Sequence, residues 1–274
     1  SGKTLTLKGA TGLLTSEQLT VDGRVRWNGE YYSPSEMKAF LGKEISYVMQ
    51  NPMTAFNPVI TIGSHCRETL REHLKVSKKE ADKIAIDWFY KLNLKDAKRV
   101  YKSYCYELSG GMLQRVMLAL AMAVGSKMIV ADEPTTALDV TVQAQILRLM
   151  KKLQEETNAA IILITHDLGV VAEMCDDVIV MYAGKKMEHA DVFEMFENPL
   201  HPYTKGLLNS LPKLNQDKNK LYSIKGMVPN LLRLKQGCKF YTRCEYATDL
   251  CATKEPGFYE VKKGHYVSCW KYKG

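Results

Sequence analysis

A parallel α/β fold is predicted by three features of this 274-residue sequence. Residues 45–50 (Ile-Ser-Tyr-Val-Met-Gln), 128–132 (Met-Ile-Val-Ala-Asp) and 161–165 (Ile-Ile-Leu-Ile-Thr) are apolar on both faces and end in a polar residue, as interior parallel strands do. Between the last two, residues 141–156 read as a helix, with Val142, Ile146, Leu149 and Leu153 on one stripe. Strand, helix and strand in that order are the unit from which parallel sheets are built.

The other elements follow in chain order. Residues 24–32 turn about Asn28-Gly29, a dipeptide suited to a two-residue hairpin. Residues 53–125 read as mostly helical. Within them Ser77 and Glu80 form a capping box, each satisfying a free backbone donor at a helix start. Ala81, Ile84, Ala85, Trp88, Phe89 and Leu92 then recur at helical spacing on one packed face. After Asp177, residues 178–182 (Val-Ile-Val-Met-Tyr), the pair Ala183-Gly184 and a polar run read as a second hairpin.

Hydrophobic residues make up 46% of the chain and charged residues 25%, ordinary for a globular protein. The longest apolar stretch, Val116–Val124, has nine residues, whereas a membrane-spanning helix needs about 20. No span is therefore expected, and the first residues do not read as a secretory signal. The net charge of +8 is uneven: residues 1–211 carry 25 basic and 25 acidic side chains, residues 212–274 carry 13 and 5. Composition thus separates a neutral body from a basic tail, which also holds Cys238, Cys244, Cys251 and Cys269. The tail's lysines are dispersed and no nucleic-acid-binding motif accompanies them, so the excess reads as a solvated face and no nucleic-acid partner is expected.

Short motifs carry the chemistry. Ser1-Gly2-Lys3-Thr4 matches the end of a phosphate-binding loop, G-x-x-x-x-G-K-[ST]. In such a loop backbone N–H groups cradle phosphates, the lysine adds a point charge and the threonine hydroxyl ligates Mg²⁺. Four residues at a chain start are also compatible with chance. Asp132, at a strand end, would reach that Mg²⁺, and Glu133 would polarise an attacking water; two surface acids would look the same. Leu108-Ser109-Gly110-Gly111-Met112, followed by Gln114 and Arg115, offers two glycines for close approach to an anion and a hydroxyl just before a helix. Alone, a glycine-rich helix cap would read likewise. His166, at the end of the next strand after Glu133, either packs or sits over a γ-phosphate.

Together these motifs resemble the ATP-binding subunit of an ABC transporter. Lys3 and Thr4 match the end of Walker A, Gln50 the Q-loop, Leu108–Met112 the signature, and Asp132 with Glu133 the Walker B acids. Ala137-Leu138-Asp139 matches the D-loop and Ile164–Asp167 the H-loop. The resemblance implies an ABC-type ATPase with a mixed sheet core, a helical signature subdomain at about 53–125 and a small cysteine-containing C-terminal extension, divided as 1–197 and 198–274. It implies that Ser1, Gly2, Lys3, Thr4 and Gln50 bind ATP, that Thr4, Gln50 and Asp132 hold Mg²⁺, that Glu133 is the general base and that His166 steadies the γ-phosphate. Ser109, Gly110, Gly111 and Gln114 would complete the nucleotide site of a second subunit, and Asp139 would lie at that dimer contact. The family's loop and its adenine-stacking aromatic begin upstream of residue 1, so the sequence as it stands is expected to bind ATP poorly.

Residues 198–208, from Asn198-Pro199-Leu200-His201-Pro202-Tyr203-Thr204 to Leu208, resemble the extension of the oligopeptide, dipeptide and nickel branch of ABC importers. That branch carries the pattern seen here as Cys238-x5-Cys244-x6-Cys251-x17-Cys269. Four clustered cysteines in a chain that reads as cytosolic favour a metal site over disulfides. A [4Fe–4S] cluster takes four thiolates and so does a structural zinc; tight C-x2-C pairs are missing, which suits the cluster better, and unligated cysteines are the remaining alternative. Cys66, Cys105 and Cys175 are scattered and read as packing residues. The branch implies a peripheral ATPase on the cytoplasmic face of the cell membrane. Its expected partners are a second ATPase subunit (a heterodimer), two permeases and an extracellular or periplasmic substrate-binding protein. Peptide is the expected cargo. Nickel or a metal chelate is the alternative with the same mechanism, and a soluble ABC ATPase in translation or DNA repair is the alternative from another class.

Overall fold

The sheet that the apolar runs predict is present, and short. A computed structural model of the chain describes residues 2–14, 19–135, 138–211, 223–229 and 236–273. Ser1, Ala137 and the side chain of Leu153 lie outside the described residues. Residues 7–166 form one compact unit, and residues 1–6 with 167–274 form another. Helix α1 (Lys3–Ala10) contributes residues to both.

In the first unit, β1 (Val25–Trp27) and β2 (Glu30–Tyr32) make the expected hairpin. Asn28 (φ +49°) and Gly29 (φ +92°) supply the left-handed pair that a two-residue turn requires. The Glu44 carboxylate accepts hydrogen bonds from Trp27 Nε1 (3.2 Å), Asn28 Nδ2 (3.3 Å) and Lys127 Nζ (3.2 Å), which ties the hairpin down. Next come α2 (Pro34–Met37), β3 (Ile45–Val48), α3 (Ile62–Leu74), α4 (Lys78–Lys91), α5 (Ala97–Lys102), α6 (Gly110–Ala123), β4 (Met128–Asp132), α7 (Val140–Thr157) and β5 (Ala160–Ile164). The capping box at Ser77 and Glu80 is formed. Helix α6 is apolar nearly all round and accordingly buried from Leu113 to Met122 on most positions.

Strands β3, β4 and β5 are parallel in that order, with Tyr47 opposite Val130 and Asp132 opposite Ile164. Among the described residues only β4 is interior: Ile129, Val130, Ala131 and Asp132 are buried, whereas Ile161, Ile162 and Leu163 of β5 are half-buried. The sequence reads all three strands as interior. Among the described residues β5 has no outer neighbour, and that lowers its burial.

The second unit holds α8 (Leu168–Met174), β6 (Asp177–Tyr182), β7 (Lys185–Asp191), α9 (Val192–Glu197), α10 (Pro202–Asn209), α11 (Asp249–Thr253), β8 (Tyr259–Lys262) and β9 (His265–Val267). The strands form an antiparallel sheet in the order β6-β7-β9-β8. Parallel and antiparallel strands thus lie in separate sheets. The hairpin expected at Ala183-Gly184 joins β6 to β7, with φ of +46° and +81° at the turn. Strand β9 pairs directly with β7, so the cysteine-bearing tail is stitched into this sheet. Val178, Val180, Tyr182, Met187 and Ala190 of the hairpin share one core with Met195 and Phe240.

Candidate functional site

The carboxyl ends of the parallel strands carry Gln50, Asp132, Glu133 and His166, at the edge where ligands bind in α/β sheets. Strand β4 ends in Asp132, which is 2% exposed. Tyr47 of β3 donates its phenol hydrogen bond to Asp132 Oδ2 at 3.0 Å. Burial, reinforced by that carboxylate, pushes the Tyr47 phenol well above the ordinary tyrosine range. The next residue, Glu133, takes a left-handed backbone (φ +46°) that non-glycine residues seldom adopt. Its N–H donates to Ile164 O at 2.8 Å, so β5 holds the unusual turn in place. Gln50 Nε2 donates to Glu133 Oε2 at 2.6 Å, and His166 Nδ1 lies 3.3 Å from Glu133 Oε1. Gln50, Glu133 and His166, far apart in sequence, therefore meet.

Ser109 caps α6, its Oγ accepting the Met112 N–H at 3.3 Å. Ser109 and Gly110 are exposed. A Cβ on Gly110 would meet nothing within 4 Å, whereas one on Gly111 would lie 3.0 Å from Val142 Cγ1. Gln114 is 2% exposed, and its Nε2 has no hydrogen-bond partner among the described residues. Arg115 donates to Gln145 Oε1 at 2.9 Å, joining α6 to α7. Asp139 caps α7 by accepting the Val142 N–H at 2.9 Å. Lys3 and Thr4 are the first residues of α1 and belong to the other unit, as does Gly2, whose φ is +93°.

Cys238, Cys244, Cys251 and Cys269 line one cavity of about 370 Å³ together with His201, Phe240 and Trp270. None is in a disulfide. A backbone bond from Cys238 N to Cys251 O (2.8 Å) fixes two of them to each other. Burial pushes the Cys238 thiol up to about 11, and its three neighbouring thiols add to the rise. Cys244 and Cys269 are raised for the same first cause. Among the described residues no three His, Cys, Asp or Glu side chains gather tightly enough to grip a single metal ion.

Two parts of this picture were not visible in the sequence. Tyr47 carries no motif and sits inside an apolar strand. Glu188, fully buried on β7, accepts hydrogen bonds from Leu200 N (2.6 Å) and His201 N (2.9 Å) and lies 2.8 Å from His265 Nε2. Residues 185–191 (Lys-Lys-Met-Glu-His-Ala-Asp) read as a polar run, which carries no signal for an inward acid.

Residues 1–136 match the family described as ABC transporter, and residues 187–251 match the oligopeptide/dipeptide transporter C-terminal region. The oligopeptide transport ATP-binding protein AppD of Bacillus subtilis (strain 168) is 44% identical over 276 residues, covering 99% of this chain and 84% of AppD. The chain belongs to the oligopeptide/dipeptide family of ABC transporter ATP-binding proteins. Similarity to OppD of Escherichia coli (strain K12) runs at 42% over 274 residues, 99% of this chain and 81% of OppD. Among solved structures, the ATP-binding cassette MJ0796, a dimer in a post-hydrolysis state bound to ADP and Pi, matches with a TM-score of 0.59 and 26% identity. That match covers 70% of this chain and 81% of the cassette. The protein cbiO1 from Clostridium perfringens shares the fold, with a TM-score of 0.59. As a member of this family the protein is an ATPase peripheral to the cytoplasmic face of the membrane. Among the described residues no helix is long and apolar enough to cross a bilayer.

Proposed function

We propose that this subunit hydrolyses ATP to energise uptake of oligopeptides or dipeptides through a membrane importer. The observation that carries this reading is Glu133, held on a strained turn between Gln50 and His166 at the carboxyl edge of the parallel sheet. Glu133 is the general base that takes a proton from the attacking water. His166, with Nδ1 engaged by Glu133, presents Nε2 to the γ-phosphate. Lys3, Thr4 and the backbone at Gly2 bind phosphates at the start of α1. The oxygen donors Asp132 and Gln50 suit a hard cation and would hold Mg²⁺, which would supply charge neutralisation on the phosphates. Gln50 now spends its amide on Glu133, so turning towards the nucleotide releases the base.

The exposed cap of Ser109, Gly110 and Gly111 on α6 serves the nucleotide of a second ATPase subunit, with Gln114 behind it and Asp139 at the contact. One chain then lacks the donors that its own transition state requires. We assign residues 1–197 to the ATPase domain and 198–274 to the extension, and infer a heterodimer of ATPase subunits working with two permeases and a substrate-binding protein. In the intact protein Glu133→Gln should retain ATP binding and lower turnover by about 10²-fold or more. Undiminished hydrolysis would remove Glu133 from that role.

The four cysteines fit a [4Fe–4S] cluster. All four thiols line one cavity, and four thiolates are what such a cluster takes. Cys238, Cys244, Cys251 and Cys269 would each hold one iron, in a structural role. Iron and acid-labile sulfide near four per chain after anaerobic purification, with visible thiolate–iron absorbance, are the expected result; a colourless zinc protein would reverse the assignment.

A further inference from the structure

We propose that Tyr47 is a positioning residue for the metal-binding acid of this ATPase: its phenol fixes the orientation in which Asp132 meets the nucleotide-bound cation. The proposal rests on the reading of Asp132 as a Mg²⁺ ligand. Tyr47 stands opposite Val130 in the parallel register of β3 and β4, and its hydroxyl reaches forward to Asp132 Oδ2 at 3.0 Å. A carboxylate at a strand end can still rotate about its last side-chain bond. Fixing one oxygen fixes the direction of the other. Asp132 is 2% exposed, so bulk water does little to redirect it.

The same strand treats the two acids differently. Tyr47 lies within β3, its ring packed against the cluster of Met37, Ile45 and Val130. Gln50 lies beyond the strand's end at Val48 and is exposed. The contact to Asp132 is therefore built into the sheet, whereas the contact to Glu133 can be broken by moving a loop. A metal ligand that must stay aimed and a base that must be released receive a rigid donor and a movable one. Outer partners of metal ligands typically change metal affinity by 10–100-fold when removed.

The test uses the intact protein and Mn²⁺ as a paramagnetic probe. Tyr47→Phe keeps the ring and its packing and removes only the donor. Mn²⁺ binding to the ATP-loaded protein, read by electron paramagnetic resonance, should weaken about tenfold. ATP affinity in EDTA should stay within twofold, and the thermal midpoint should barely move. Half-saturation of hydrolysis by Mg²⁺ should rise by the same factor, with kcat recovered at high Mg²⁺. If Asp132→Asn loses Mn²⁺ and Tyr47→Phe binds it within twofold of wild type, Tyr47 is a packing residue and the proposal fails alone. If Asp132→Asn binds Mn²⁺ unchanged, the assignment of Asp132 fails and the proposal falls with it.

Discussion

Two glutamate–histidine pairs of this protein sit in opposite surroundings. Glu133 and His166 lie 3.3 Å apart, with side-chain exposures of 19% and 68%. Glu188 and His265 lie 2.8 Å apart, with exposures of 0% and 2%. The first pair stands at the open edge of a parallel sheet, on a strained turn, with Gln50 as a further partner. The second is closed on all sides and shares its carboxylate with two backbone N–H groups. Residue types alone do not separate the two. Exposure and the identity of the remaining partners do: an acid that still meets solvent can serve a reaction, and one spent on two backbone donors and a buried imidazole holds a chain segment in place.

The sharpest way to break this contrast is to remove each acid. Glu188→Ala leaves Leu200 N, His201 N and His265 Nε2 without their acceptor. It should destabilise the protein by about 3–5 kcal/mol in urea unfolding. Glu133→Gln, expected to slow turnover, should move the same unfolding midpoint by less than about 1 kcal/mol. Equal losses from the two would erase the distinction.

A smaller effect sharpens it. His201, beside Glu188, is 1% exposed, and burial depresses its pKa to about 4. An unfolded histidine titrates near 6.5. Below about pH 6.5 the unfolded chain takes up a proton that the folded chain refuses, so stability falls as pH drops and levels off near pH 4. The loss approaches about 1.4 kcal/mol per pH unit, about 3 kcal/mol over the window. Urea midpoints across that range should follow this course, and His201→Gln should flatten it.

Much of the Glu133 region was legible because its chemistry sits at the ends of apolar strands. Short apolar runs located β3, β4 and β5, and the polar residue at or just after the end of each run is Gln50, Asp132 with Glu133, or His166. Asn28-Gly29 and Ser77 with Glu80 were legible because a turn and a cap depend on local backbone geometry. Tyr47 was not, since its role depends on a register that only the folded sheet sets. Strands β8 and β9 were missed because they are four and three residues long, and β8 is mostly exposed. Glu188 was hidden by a strand whose polar sequence suggests solvent on both faces, whereas its buried positions pack against the tail.

The cooperation of two subunits is tested most directly by the ATPase rate per subunit across a dilution series of the intact protein. With Ser109, Gly110 and Gly111 of one chain completing the site of another, the rate should fall towards zero as dilution separates the subunits, and return on reconcentration. A full rate at every dilution would contradict it.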